Sequence, residues 1–303
     1  MSIIFARLII NSTDKGINAF VVPIRDSQTH DPLPGVIIGD CGKKIGLDGI
    51  DNRFILFKNY RVPYDSLLDK FSSITEDGKF KSSIKNKEKR LGIMMVGLIG
   101  GRSAVVCAAG QNMKTGLIAA LRFSAVRRQF SSTEAENAVL DYPLQQYKLI
   151  PHLANVLAIR SIYLWLNTNL PVIQQKIDEN PEGLEVSEFH AILSACKGVS
   201  TWYANSCLKH CREATGGLGY SAYSNIGRIM MNANIGVAWE GDNGVLIQQT
   251  GKFILKQFQR TFKGHVINAP TLKCIQVDHE KVMQFKAKFE NSEQLENENT
   301  VLS

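Results

Sequence analysis

The sequence is poor in the features that mark specialised classes. Its six cysteines run from Cys41 to Cys274 without a Cys-x-x-Cys pair, so neither a disulfide-stapled scaffold nor a zinc ribbon is indicated. Those thiols read as reduced and intracellular. No block of Lys and Arg interleaves with aromatics, and 35 basic against 28 acidic residues leave a net charge of only +7, which suits small anionic ligands better than nucleic acid. The most apolar stretch, 93–109, is interrupted by Gly100, Gly101 and Arg102, so a buried helix is expected there and no transmembrane segment. No small-residue cleavage pattern follows Arg7, so no signal peptide is expected. Metal-ligand spacing of His, Cys, Asp and Glu is missing, as are a Gly-x-Ser-x-Gly elbow and any internal repeat. What is present is 303 residues with 44% hydrophobic content, enough for a sizeable core and, by length, two domains. Disorder as the main state and a collagen-like chain are excluded.

Two textures meet near residue 80. Before it, β-branched and aromatic runs at 3–10, 19–24 and 54–57 are separated by turn chemistry at Thr13-Asp14-Lys15-Gly16, Pro32-Leu33-Pro34-Gly35 and Asp48-Gly49. This predicts a small antiparallel β-unit over 1–80, with strands missing from its sheet. After residue 88 the period turns helical, predicting a helical bundle over 88–260. Its helices are expected at about 90–130, rich in Gly and Ala for close approach; from an Asp141 cap and Pro143 to about 169; from about 187 to 215; and after Asp242-Asn243 to about 257. The stretch 261–303 reads as irregular, with 291–300 a disordered polar tail.

Three segments have a chemical reading beside a structural one. In Trp239-Glu240-Gly241-Asp242-Asn243, Glu240 lies beside an aromatic ring at the start of a helix, where an apolar setting would suit a general base; a helix-capping Glu is the structural alternative. In Cys211-Arg212-Glu213-Ala214-Thr215-Gly216-Gly217-Leu218-Gly219-Tyr220, three glycines could turn backbone N–H groups toward a phosphate, or simply end a helix. In Arg122-Phe123-Ser124-Ala125-Val126-Arg127-Arg128-Gln129-Phe130, the arginines could grip a pyrophosphate or complement a helix dipole. His190 and His210 read as structural residues on helices.

In order along the chain, these segments resemble the acyl-CoA oxidase branch of the acyl-CoA dehydrogenase superfamily, over about residues 3–258. Further anchors are Phe20-Val21-Val22-Pro23-Ile24-Arg25-Asp26, Pro32-Leu33-Pro34-Gly35, Gly46-Leu47-Asp48-Gly49-Ile50-Asp51-Asn52 and Tyr142-Pro143-Leu144-Gln145-Gln146-Tyr147-Lys148-Leu149. The resemblance implies an α+β fold: the C-terminal part of a small antiparallel β-domain followed by an α-helical bundle, with the family's N-terminal helical domain missing. It also implies an FAD-dependent enzyme that converts a fatty acyl-CoA to the trans-2-enoyl-CoA and passes the electrons to oxygen as hydrogen peroxide.

On the same ground Glu240 matches the catalytic base, taking the α-proton while the β-hydride goes to flavin N5. The family meets the enolate-like oxygen with the backbone N–H of that Glu and a flavin ribityl hydroxyl. Arg127 and Phe130 match residues that reach the flavin of a neighbouring subunit. Gly216, Gly217 and Gly219 match the loop under its adenosine diphosphate part, and Asp242 is assigned to the cofactor as well. A homodimer, or a dimer with a full-length oxidase, is implied, in the peroxisome. Departures from the family pattern are Leu218 in place of His, Arg53 in place of Gly, and Ala238-Trp239 in place of Thr-aromatic. The last residues, Thr300-Val301-Leu302-Ser303, are not the usual peroxisomal tripeptide. Two alternatives stay open: a truncated, non-catalytic paralogue or isoform that modulates a full-length oxidase, and an acyl-CoA dehydrogenase.

Overall fold

The computed structural model describes residues 1–96, 99–131 and 134–275, so the expected tail at 291–300 lies outside the described residues. The chain opens with an antiparallel hairpin, β1 (Ser2–Ile10) and β2 (Thr13–Val22). Its turn is Asn11-Ser12, both at positive φ, as a tight hairpin turn matching strand twist requires. Thr13-Asp14-Lys15-Gly16, expected as the turn, instead opens β2. The register slips between Arg7 and Ile9, and Gly16, at φ +86°, takes up the extra residue. A side chain there would also strike Lys87, 2.8 Å from its Cβ position.

Two further hairpins follow: β3 (Val36–Asp40) with β4 (Arg53–Phe57), and β5 (Ser72–Ile74) with β6 (Phe80–Ser82). Three separate two-stranded sheets, not one continuous sheet, make up this unit among the described residues. Alternate residues of β1, Ile3, Phe5 and Ile9, remain exposed although apolar, the mark of a sheet face without a packing layer.

The remainder is helical: α1 (Lys87–Val96), α2 (Ile99–Val126), α3 (Pro143–Glu179), α4 (Leu184–Ala214), α5 (Gly216–Tyr220), α6 (Ile226–Asn234) and α7 (Asn243–Thr261). Arg90 of α1 is buried and donates to the carbonyls of Lys15 and Ile84, tying the hairpins to the bundle. The core runs between α2, α3 and α4 through Met113, Leu117, Leu149, Leu166, Leu193 and Cys207. Gly116 lets α4 close on α2, since a Cβ there would lie 2.5 Å from the Leu208 side chain. The α+β class, a partial antiparallel β-unit ahead of a helical bundle, is what the sequence predicts.

Several elements differ from expectation: the single helix expected over 90–130 is the two elements α1 and α2, the latter ending at Val126, and Tyr142 rather than Asp141 is the cap of α3, with no side-chain bond. Helix α3 runs ten residues past the expected end, through Pro151 and Pro171, because Leu166 and Ile173 on either side of the second proline are buried in the core. The length and composition of α3 would also allow a membrane span, though its buried residues face the bundle. As expected, α4 stops at Ala214 ahead of Gly216, whose φ of +53° breaks the helix, but the glycines themselves go on to form the short α5. Helix α6 was not foreseen: its nine residues are amphipathic but too short a run for a helical period to be read from sequence.

Candidate functional site

Glu240 is not in the first turn of α7. Asp242 caps that helix, accepting from the Val245 N–H at 3.2 Å, and Glu240 precedes the cap by two residues. The backbone at Glu240 is left-handed, φ +55°, followed by Gly241 at +113°. For a residue with a Cβ that conformation costs on the order of 1 kcal/mol, so tertiary contacts must hold it.

Those contacts are buried cations. From α2, Arg102 Nε donates to the Glu240 carbonyl at 2.9 Å, while its Nη1 meets His190 Nε2 of α4, also at 2.9 Å. Farther along α4, the fully buried Lys197 donates from Nζ to the Gly241 carbonyl at 2.6 Å and to Asn243 Oδ1 at 2.9 Å. Asn243 in turn donates to Thr201 Oγ1 at 2.8 Å. Burial, reinforced by the Arg102 charge, pushes His190 down to about 4, so its ring is the neutral acceptor this bond needs. Burial lowers Lys197 to about 8; the Asp242 charge opposes this, Arg102 adds to it, and Glu240 opposes it. The apolar setting expected for Glu240 is only part of what surrounds it: Trp239 lines a cavity of about 220 Å³ with Leu47, Val105 and Gly236, but two cations stand behind the loop.

The Glu240 carboxylate rests on Gly101. A Cβ on Gly101 would fall 2.6 Å from Oε1 and 2.8 Å from Oε2. Oε2 is buried with no hydrogen-bond partner, and among the described residues nothing accepts from the Glu240 N–H. A buried carboxylate oxygen without a donor is uncommon in a purely structural role.

The Arg127, Gly216, Gly217 and Gly219 set lies at the other end of α2, a 28-residue helix about 42 Å long at ~1.5 Å per residue. There Phe123, Arg127, Gln129, Val139 and the 213–218 segment surround a half-open cavity of about 400 Å³. Nothing lies within 4 Å of a Cβ built on Gly216 or Gly217, so bare backbone faces open space. Gly219 is obligatory for packing, as a Cβ there would sit 2.1 Å from the Arg212 carbonyl oxygen. Phe130, at φ +57°, is 71% exposed beyond the helix end. The structure thus brings Arg127 together with the glycine loop and leaves Glu240 apart from both, while Asp242 stays with Glu240 as the cap of α7.

Gly101, Arg102 and Lys197 are functional candidates that sequence reading missed. Gly101 and Arg102 registered only as interruptions of an apolar run. A lysine amid the apolar face of α4 was the available signal for Lys197. His210, expected as structural, pairs with the buried His152 at 2.7 Å between ring nitrogens. Among the described residues no group of His, Cys, Asp or Glu could hold a metal ion.

The family model for the acyl-CoA oxidase C-alpha1 domain matches residues 95–255. Acyl-coenzyme A oxidase 2, peroxisomal, of Arabidopsis thaliana is 38% identical over 268 residues, which are 86% of this chain and 38% of that protein. Among solved structures, Arabidopsis thaliana acyl-CoA oxidase 1 superposes with a TM-score of 0.82 at 29% identity, covering 99% of this chain and 45% of that one. Caenorhabditis elegans acyl-CoA oxidase-2, bound with FAD, ascaroside-CoA and ATP, gives 0.80 at 28% identity, covering 91% and 41%. This chain belongs to the acyl-CoA oxidase family, and it spans about two fifths of the length of the curated relatives it matches.

Proposed function

We propose that this chain carries the proton-abstracting centre, and part of the flavin cradle, of a peroxisomal acyl-CoA oxidase that converts a fatty acyl-CoA to its trans-2-enoyl-CoA. Glu240 is the general base. The observation that carries this reading is its carboxylate, seated on the bare Cα of Gly101 with Oε2 buried and unbonded. An α C–H beside a thioester is a weak acid, so the carboxylate must be held close and shielded from water. Gly101 leaves the space, and Arg102 and Lys197 hold the loop by its carbonyls. The unbonded Glu240 N–H is a donor for the thioester oxygen as negative charge develops on it.

The residues at the far end of α2 fit a dinucleotide. Arg127 offers a forked cation to a pyrophosphate, the bare backbone of Gly216 and Gly217 faces the same cavity, Gly219 lets the loop close, and Phe130 presents a ring. Asp242 is assigned to the cofactor at the Glu240 end, where it caps α7. Bound FAD supplies the two-electron acceptor, with oxygen taking the electrons onward as hydrogen peroxide. Because α2 separates Glu240 from the Arg127 cavity by more than one flavin dinucleotide reaches, each cofactor is shared between two chains, in a homodimer or with a full-length oxidase.

Flavin absorbance tests this directly. The purified chain is expected to take up FAD and to bleach on adding a fatty acyl-CoA. Glu240→Gln should keep the spectrum and slow bleaching by roughly 10²–10⁴-fold; an undiminished rate removes Glu240 from its role. The exposed Phe130 and open cavity favour a second reading, in which the chain completes the site of a longer oxidase. FAD uptake only after mixing with such a partner would select it.

A further inference from the structure

We propose that Lys197 is a positioning residue whose buried ammonium group sets the backbone of the Glu240-Gly241 turn and thereby the aim of the Glu240 carboxylate. The inference rests on Glu240 being the proton acceptor. Left-handed geometry at 240 and 241 turns two carbonyls away from any helical partner, and buried carbonyls must be paired. One of them goes to Arg102 of α2 and the other to Lys197 of α4, so the turn is held from two helices at once. Lys197 also reaches past the turn to Asn243, which bonds Thr201 and the Gly198 carbonyl. A single side chain therefore couples the segment carrying the base to the first residue of α7 and to the core of α4.

The charge on Lys197 is part of the device. Charge-assisted hydrogen bonds are about twice as strong as neutral ones. Facing the ammonium are Arg102 from α2 and Glu240 and Asp242 from the turn; His190, on α4 itself, acts through Arg102, and α7 contributes only the neutral Asn243. Burial brings the group to about 8, so the clamp weakens on its neutral side just above physiological pH.

Trp239, next to Glu240 and 42% exposed, reports on the turn without any cofactor. In the full chain carrying Trp165→Phe and Trp202→Phe, its emission is expected to change with a midpoint near pH 8. Adding Lys197→Met should abolish that transition and fix the alkaline spectrum, whereas Lys197→Arg should hold the acidic spectrum through pH 9. A transition that survives Lys197→Met overturns the proposal. So does flat emission between pH 7 and 9 in the parent, which decides the matter even if the methionine variant does not fold. In flavin-loaded protein, Lys197→Met should slow bleaching by acyl-CoA roughly 10²-fold with unchanged acyl-CoA affinity. If Glu240→Gln bleaches at the parent rate, the assignment of the base falls while Trp239 still reports on the clamp.

Discussion

The two ends of α2 are built in opposite ways. At the N-terminal end, the Glu240 turn is closed around buried cations, with Arg102, His190 and Lys197 each bonded and each drawn from the helices that form the core. At the C-terminal end, Arg127 and Phe130 project from the protein beside glycines whose backbone faces open space. Preorganisation of the first kind needs only this chain. On the function proposed above, the second would be half of a binding site, with bare backbone and an exposed arginine turned toward open space. A proton acceptor depends on a fixed position, which a packed core supplies, whereas a shared dinucleotide needs an accessible edge.

Substitutions can break this contrast. The largest expected effect is at Gly101. Gly101→Ala places a methyl group 2.6 Å from Glu240 Oε1, and because the obstacle is the flexible end of a side chain, the carboxylate should move rather than the helix. Bleaching by acyl-CoA should fall about 10²-fold with little change in thermal midpoint. A large drop in melting temperature would show instead that Gly101 serves packing.

Next comes acid sensitivity at the closed end. His190 titrates near 4 in the folded chain and at its ordinary 6.5 when unfolded, so the unfolded state binds the extra proton between those values. Stability from this group is present above pH 6.5 and is lost as pH falls toward 4, on the order of 2 kcal/mol. Denaturant titrations at pH 7 and pH 4.5 should show this loss, and His190→Asn should reduce it. A loss of equal size in the variant would place the acid sensitivity elsewhere.

The smallest effect is at the open end. Arg127→Ala should weaken FAD binding by roughly tenfold, the worth of one charge-assisted bond, while leaving the melting temperature of the cofactor-free chain unchanged. Isothermal titration separates that outcome from unchanged affinity, which would take Arg127 out of the cradle.

Much of the fold was legible because it follows from local rules. The helical period of α2, α3, α4 and α7, the Asp242 cap and the Gly- and Ala-rich contact face of α2 all lie within windows of a few turns. Where local rules misled, long-range packing had overridden them. Asp14-Lys15-Gly16 has the composition of a turn but forms a bulge, since Asn11-Ser12 closes the hairpin and Lys87 packs on Gly16. Pro171 reads as a helix stop, yet burial of Leu166 and Ile173 carries α3 through it. For the site, the residues of the 211–220, 122–130 and 239–243 segments could be picked out by type and spacing. Their grouping could not, for nothing local says that Arg127 joins the glycines while Glu240 sits a helix length away.

By itself the sequence determined which elements form, which family they belong to and which side chains can do chemistry, because periodicity, caps and glycine placement act over a handful of neighbouring residues. Only the tertiary structure decided what surrounds Glu240. Gly101, Arg102, His190 and Lys197 are separated from it by 43 to 139 positions and meet it only when α2 and α4 pack against the turn before α7. Burial then removes the water that would otherwise satisfy those carbonyls and that lysine, and makes each depend on the other.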